Sequence, residues 1–211
     1  MTLLSLKPQF SRGEDAYKVE FSDGSSIIFS SSYLNPENPI ENAIKTADLD
    51  ALTEKELSIE EEEAFRFAAE CLRAERSALR LVARAEQNSL GLTAKLRRRH
   101  GMDAVKAVVS RFMEKNLLDD SRYAERWIRS RLALRKAVSP QRLLAGLRSR
   151  GIDRDSARKT LDRVLDPDTE YTLLLQFLDK NPNRNEGPLL KSQLKYEGFS
   201  YEALDRYFSG D

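Results

Sequence analysis

The sequence predicts a mainly α-helical protein in which three tandem three-helix repeats form an elongated curved array, preceded by a small N-terminal β-hairpin element. Two observations support this prediction. The 211 residues include only 9 glycines, while leucine, alanine, arginine and glutamate are abundant, a composition that favours helices. A helix, a glycine and a second apolar helix also recur at intervals of about 50 residues, a spacing typical of repeat arrays.

One segment near the N-terminus has the pattern of a β-hairpin. Apolar and charged side chains alternate over residues 15–21, Asp23-Gly24 supplies a turn dipeptide, and residues 26–30 return as a second strand. Because a lone hairpin is marginally stable in water, we expect it to pair with a further strand from residues 3–10 or to pack on a helix.

The hairpin belongs to a first predicted domain, residues 1–57, whose second half is expected to form one or two acidic helices over residues 40–57. Ser58 and Glu61 then match a capping box, so the first repeat helix should begin there. The predicted repeats are residues 58–118, residues 119–166 and residues 167–211.

A glycine follows a helix in each repeat, and an apolar residue follows each glycine. Glycine is the favoured left-handed residue just past a helix end, and the next residue often packs back on that helix. One residue more separates Leu96 from its glycine than separates Leu147 from its own. The three glycines, to which we assign a structural role, are Gly101, Gly151 and Gly198.

The lead helix of the second repeat lies within LLDDSRYAERWIRSRLAL, residues 117–134, which is amphipathic at a 3.6-residue period. Trp127 lies in the apolar arc, so we interpret it as a core residue rather than a base-stacking platform. Arg131 lies in the same arc and should have a structural role with a carboxylate or carbonyl partner, because an unpaired buried charge is costly. The outward arginines, which are binding candidates, are Arg122, Arg126 and Arg129.

These outward arginines also have a simpler interpretation. An amphipathic helix normally presents a solvated charged face, and Glu125 with Arg129 forms a favourable i,i+4 pair on that face.

The net charge of +1 conceals a strong segregation of charge. Residues 37–63 hold ten acidic side chains against two lysines, whereas residues 94–160 hold nineteen lysines and arginines against seven acidic residues. A basic region of this size suggests a polyanionic partner such as nucleic acid. Alternatively, the acidic segment neutralises the basic one within the fold.

Residues that could support catalysis or metal binding are scarce. His100 is the only histidine and Cys71 the only cysteine, so neither a zinc site nor a Ser-His or Cys-His nucleophile system is expected. His100 fits a capping or surface role at a helix end, and Cys71 that of a small buried side chain. We therefore expect a cytoplasmic binding protein that is not an enzyme, with no cofactor, metal, signal peptide or membrane span.

Three segments resemble the RecX family of bacterial recombinase regulators. LDDSRYAERWIRSRL is similar to the family's central signature, RLLAGLRSRGID to the segment that follows it, and KYEGFSYEALDRYF to the ending of its third repeat. The resemblance covers roughly residues 60–208, in the right order and spacing. The segments before it are similar to an N-terminal extension that some members carry.

The resemblance implies a non-enzymatic modulator of the RecA recombinase, with roles in homologous recombination, DNA repair and the SOS response. Family members lie along the groove of the RecA–single-stranded DNA filament and usually inhibit strand exchange and ATP hydrolysis. The implied partners are therefore RecA and single-stranded DNA, with double-stranded DNA as an additional ligand, and the implied state is a monomer. We expect the contact to be made by Arg97, Arg98, Arg122, Arg126, Arg129, Arg142 and Arg148.

Two other classes of function remain open. A free-standing DNA-binding repeat protein should bind DNA tightly without RecA and show sequence preference. A scaffold whose basic region docks on residues 37–63 should misfold when residues 1–57 are deleted, whereas the filament interpretation expects inhibition to survive that deletion.

Overall fold

A computed structural model describes residues 1–9, 15–35, 44, 54–134, 138–182 and 189–210. Three strands are followed by nine helices in this part of the chain. The strands are β1 (Leu3–Pro8), β2 (Ala16–Phe21) and β3 (Ser26–Ser30). The helices are α1 (Ile59–Arg84), α2 (Ser89–Leu96), α3 (Met102–Glu114), α4 (Asp120–Ala133), α5 (Pro140–Arg148), α6 (Arg154–Val164), α7 (Pro167–Asp179), α8 (Leu190–Tyr196) and α9 (Tyr201–Ser209). The mainly α-helical class with an N-terminal β element is confirmed.

The strands form an antiparallel sheet in the order β1-β2-β3. Gly24 occupies the turn between β2 and β3 with a positive φ of 80°, and Asp23 accepts a hydrogen bond from the backbone N–H of Ser25. The hairpin and its third strand, which pairs Leu6 with Val19, are therefore as predicted. Most of the predicted acidic helical region, residues 40–43 and 45–53, lies outside the described residues.

The chain is organised in two compact units. The first unit contains residues 1–85 and 92–118, and the second contains residues 86–91 and 119–211. This division differs from the predicted domain boundaries in assigning the sheet and α1 to one unit.

The sheet packs on α1 within the first unit. Phe65 of α1 is fully buried, with its ring centroid 4.8 Å from that of Phe29 and 6.1 Å from that of Phe21. Ser58 caps α1 and Glu61 closes the capping box, as predicted. Deleting residues 1–57 would remove Phe21 and Phe29 and expose Phe65, so we expect misfolding whatever the function is. The deletion therefore cannot distinguish the scaffold from the filament interpretation.

The remainder of α1 packs on α2 and α3 in a second apolar cluster, which includes Cys71, Leu92, Leu96, Val108 and Phe112. Burial raises the pKa of the Cys71 thiol to about 12. The thiol is therefore protonated at neutral pH and has the small buried character that the sequence predicts.

The second unit has a single core, to which all six helices from α4 through α9 contribute. Its buried side chains include Ile128 of α4, Leu143 and Leu147 of α5, Leu161 of α6 and Leu174 of α7. The apolar residues after two of the repeat glycines, Ile152 and Phe199, are each only 3% exposed and belong to this core.

Two of the three repeat glycines adopt the predicted left-handed conformation. Gly151 has a φ of 81° and Gly198 a φ of 89°. After α5, the N–H of Ile152 donates to the carbonyl oxygen of Leu147 and the N–H of Gly151 to that of Arg148. This pair of bonds is the Schellman arrangement, and Phe199 and Gly198 repeat it after α8.

Gly101 departs from the prediction of a left-handed residue. Its φ is −63° and its ψ is 150°, and it acts as the N-cap of α3. The extra residue after Leu96 explains the difference, because it moves the glycine one position beyond the Schellman site. Its role is nevertheless structural, since its N–H donates to Oε1 of Glu70 at 2.6 Å.

The sheet-to-helix contact gives a stability prediction. Phe29→Ala should lower the free energy of unfolding of the first unit by about 3–5 kcal/mol, the usual cost of removing a buried phenylalanine. Ile28→Ala, at the next position of β3 where the side chain is 40% exposed, should cost less than about 1 kcal/mol. Urea denaturation followed by far-ultraviolet circular dichroism measures both. Equal effects of the two substitutions would contradict this account of the first core.

Candidate nucleic-acid interface

The outward arginines of α4 are paired with carboxylates. Arg122 Nε and Arg126 Nη1 each lie 2.7 Å from a carboxylate oxygen of Glu86. Arg129 Nη2 lies 3.0 Å from Glu125, which also accepts from Arg163 at 3.0 Å. These guanidinium groups do face outward, as predicted, but two carboxylates compensate much of their charge.

The same helix forms structural contacts at its N-terminal end. Asp119 caps α4 by accepting from the backbone N–H groups of Ser121 and Arg122. Asp120 turns instead to Ser89 at the start of α2 and accepts from its backbone N–H at 2.7 Å and from its hydroxyl at 2.6 Å.

Trp127 packs against the core of the second unit, and its surroundings are structural. The guanidinium carbon of Arg150 lies 4.6 Å from the ring centroid, and that of Arg131 lies 5.2 Å from it. Among the described residues Arg131 has no carboxylate or carbonyl partner, so the expected partner is replaced by the tryptophan ring. Arg131 is only partly buried, and water together with a cation–π contact suffices to solvate it.

Arg142 and Arg148 lie exposed on α5. Within the described chain, no carboxylate lies within 4 Å of either guanidinium group. Arg148 borders a groove of about 630 Å³ that Arg154 and Arg158 of α6 also line. Asp155 lines the same groove, and Arg158 is paired with Asp162 at 3.0 Å, so this surface is basic but partly compensated.

Arg97 and Arg98 lie exposed in the turn that follows α2. Arg98 borders a second groove, of about 500 Å³, between α1 and the end of α2. We call it the α1/α2 groove. Its basic lining residues are Arg80, Arg84, Lys95, Arg98, Arg99 and His100.

Arg80, Arg84 and Arg99 belong to this site but are not among the contact residues predicted from the sequence. A signal existed, because Ser77, Arg80 and Arg84 follow one another at intervals of three and four residues, which places them on one face of a helix. Nothing in the sequence, however, shows that the turn after α2 lies beside that face.

His100 lines the α1/α2 groove next to a hydroxyl, with its Nε2 3.1 Å from Oγ of Ser77. Partial burial is the main cause that lowers its pKa below the ordinary value of 6.5, and nearby arginines add to that effect while Glu70 opposes it. The lowered pKa favours the neutral imidazole at pH 7, and negative charge brought close to the ring would favour its protonation.

Neither a metal site nor a membrane span is found in the described ranges. No group of three His, Cys, Asp or Glu side chains is placed there to hold a metal ion. No helix in those ranges has the length and apolar character that crossing a bilayer requires.

Comparison with known proteins gives matches in both sequence and structure. The family profile described as RecX, second three-helix domain, matches residues 119–161. A regulatory protein RecX from Treponema pallidum is 36% identical over 145 residues, which cover 66% of this chain and 86% of that protein. A regulatory protein RecX from Pseudomonas entomophila is 31% identical over 143 residues, which cover 64% of this chain and 89% of that protein.

The chain belongs to the RecX family. A crystal structure of regulatory protein RecX agrees in fold, with a TM-score of 0.69, 16% identity, and coverage of 99% of this chain and 98% of that one. The relatives carry the name of regulatory proteins, and a regulatory role is therefore assigned to this chain.

The contact between Trp127 and α5 gives a prediction for the second unit. A Cβ atom built on Gly146 would overlap Cη2 of Trp127. Gly146→Ala should therefore destabilise the unit, although alanine normally stabilises a helix interior by about 0.5–1 kcal/mol relative to glycine. Because Trp127 is the only tryptophan, its fluorescence spectrum should shift as well. A stabilised variant with an unchanged spectrum would show that the ring is not packed against α5.

Proposed function

We propose that this RecX-family protein binds the RecA–single-stranded DNA filament as a cytoplasmic monomer and lowers the ATPase and strand-exchange activity of RecA, without catalysis of its own. The observation that supports this proposal is the presence, on both units, of exposed arginines without a carboxylate partner among the described residues. Arginines without a nearby carboxylate are attracted to a partner whose surface carries both phosphate groups and acidic side chains, as a protein–DNA filament does.

The structure separates the proposed contact residues into two groups. Arg97, Arg98, Arg142 and Arg148 are exposed and have no carboxylate within 4 Å among the described residues, so they can meet a polyanion directly. The α4 arginines, Arg122, Arg126 and Arg129, must first break their ion pairs with Glu86 or Glu125 before they can bind a polyanion. We therefore place the first group at the centre of the contact and the α4 arginines second.

A second candidate is a free-standing DNA-binding protein that acts without RecA. The α1/α2 groove favours this candidate, because its arginines could bind phosphate without any help from a protein partner. Tight, sequence-selective binding to duplex DNA in the absence of RecA would support it.

The proposed function is tested by titrating the protein into a RecA ATPase assay on single-stranded DNA. We expect hydrolysis to fall progressively and then to saturate, because the protein occupies repeated sites along a filament. A flat response, with the protein shown to be folded, would contradict the proposal and favour the free-standing DNA-binding function.

The same assay tests whether the α4 arginines contribute to inhibition, by substitution of Glu86, the carboxylate that pairs with two of them. Glu86→Gln removes the carboxylate charge beside Arg122 and Arg126 and should lower the concentration needed for half-inhibition by about fivefold, equivalent to about 1 kcal/mol for an exposed ion pair. Glu202→Gln is the matched control, since it changes net charge equally at an exposed position of α9. If both variants inhibit like the unmodified protein, the α4 face does not border the partner.

A further inference from the structure

The α1/α2 groove concentrates positive charge to a degree that the other basic surfaces do not. Within the described part of the chain, no carboxylate lies within 4 Å of the guanidinium groups of Arg80, Arg84, Arg98 or Arg99, although all four border the same groove. By contrast, Glu86 and Glu125 compensate the arginines of α4, and Asp155 lines the groove on the second unit.

Assembling these cations has an energetic consequence for the free protein. Like charges that share one recess repel one another, and this repulsion destabilises the folded state unless counter-charge arrives from outside. The recess, at about 500 Å³, also has the size of an ordinary ligand site. Its charge points to an anionic ligand, and its volume is large enough to admit one.

We propose that the α1/α2 groove binds the phosphodiester backbone of a single-stranded nucleic acid, and that His100 takes up a proton when the backbone enters. This inference deepens the proposed function, on which it rests, because it names the component of the filament that this site would contact and adds a dependence on pH.

The lining favours a phosphodiester backbone over an acidic protein surface. Phosphate recognition needs cations and hydrogen-bond donors, and the guanidinium groups of the lining arginines supply both. A protein interface generally centres on a buried aromatic or apolar anchor, but among the described residues the apolar residues that line this groove are Leu81 and Leu96.

The lining also predicts binding without sequence preference. Among the residues that the structure describes, His100 supplies the only aromatic ring that borders the groove. Binding of single strands that depends on phosphates, with no platform on which bases could stack, does not distinguish one base from another.

His100 would sense the ligand because of the charges that surround it. The groups that face it are Glu70, Arg73, Ser77 and Arg80 from α1 and Arg99 from the turn after α2. In the free protein the three arginines oppose protonation of the imidazole. A bound phosphate would offset them, so the imidazolium form would be favoured and the pKa of His100 would rise.

The linkage between proton and ligand has a definite sign. If the pKa of His100 is higher in the complex than in the free protein, the affinity for the nucleic acid rises as pH falls through the interval between the two values. Each unit of pKa difference corresponds to about a tenfold change in affinity. His100→Gln should abolish this component of the pH dependence.

The test uses the whole 211-residue chain and proton NMR, in which the only histidine of the chain gives its own imidazole titration curve. Single-stranded oligothymidylate is the probe. Sodium sulfate, whose charge is constant over this pH range, and a polyglutamate peptide serve as comparison anions at matched ionic strength. We expect oligothymidylate to raise the pKa of His100 and to bind several-fold more tightly at pH 6 than at pH 8.

Substitutions locate the effect within the first unit. Arg80→Gln should greatly reduce the shift in the pKa of His100. Arg66→Gln, which removes the same charge from an exposed position of α1 that is paired with Glu62, should leave it unchanged.

Several outcomes would overturn the proposal. Oligothymidylate that binds without moving the pKa of His100 would place the nucleic acid elsewhere, and absence of binding would remove the ligand altogether. An equal shift with sulfate would indicate a simple anion site, and a shift with polyglutamate alone would indicate an acidic protein partner. None of these outcomes requires RecA, so failure here is distinguishable from failure of the ATPase assay.

Discussion

The second unit depends on two turns in which a left-handed glycine ends a helix, Gly151 after α5 and Gly198 after α8. The missing side chain leaves space for the first turn of another helix, α2 in one case and α5 in the other. A Cβ atom on Gly151 would lie 2.5 Å from Cδ2 of Leu90, and one on Gly198 would lie 3.2 Å from the backbone nitrogen of Gln141. Polar contacts secure both junctions, since Asn88 donates to the carbonyl oxygen of Arg150 and the fully buried Ser139 donates to Glu197 at 2.5 Å. The glycines therefore end one helix and position the start of another, which fixes where the arginines of α5 are displayed.

The basic character of the chain is less informative than the way in which each cation is compensated. Arginines occur throughout residues 94–160, but the structure pairs those of α4 with Glu86 and Glu125 and stacks others on Trp127. The arginines of α4 are therefore partly neutralised, and those beside Trp127 are engaged with its ring. Cations without an acidic neighbour retain their full attraction for a polyanion, and in the first unit they are concentrated in the α1/α2 groove.

Much of the fold could be predicted because its signals are local. The Asp23-Gly24 turn, the Ser58 cap and the Schellman glycines each depend on neighbours within a few residues. The interpretation of Gly101 failed because one additional residue after Leu96 changes the geometry of the turn. The site was less predictable, since Glu86 lies 36 residues before Arg122 and the grouping of Arg80 with Arg99 exists only after the helices pack. A helical wheel predicts the direction in which a side chain points, but it does not predict which charged residues of other elements lie beside it.

The central claim is that uncompensated arginines, rather than all outward arginines, bind the polyanion. It is tested most directly by the salt dependence of single-stranded DNA binding for two triple variants that remove equal charge. Substituting alanine for Arg80, Arg98 and Arg99 should flatten the plot of log affinity against log salt by about 2 units, at roughly 0.7 per lost phosphate contact. Alanine at Arg122, Arg126 and Arg129 should leave the slope nearly unchanged. The reverse result, with the larger change in the α4 variant, would contradict the account.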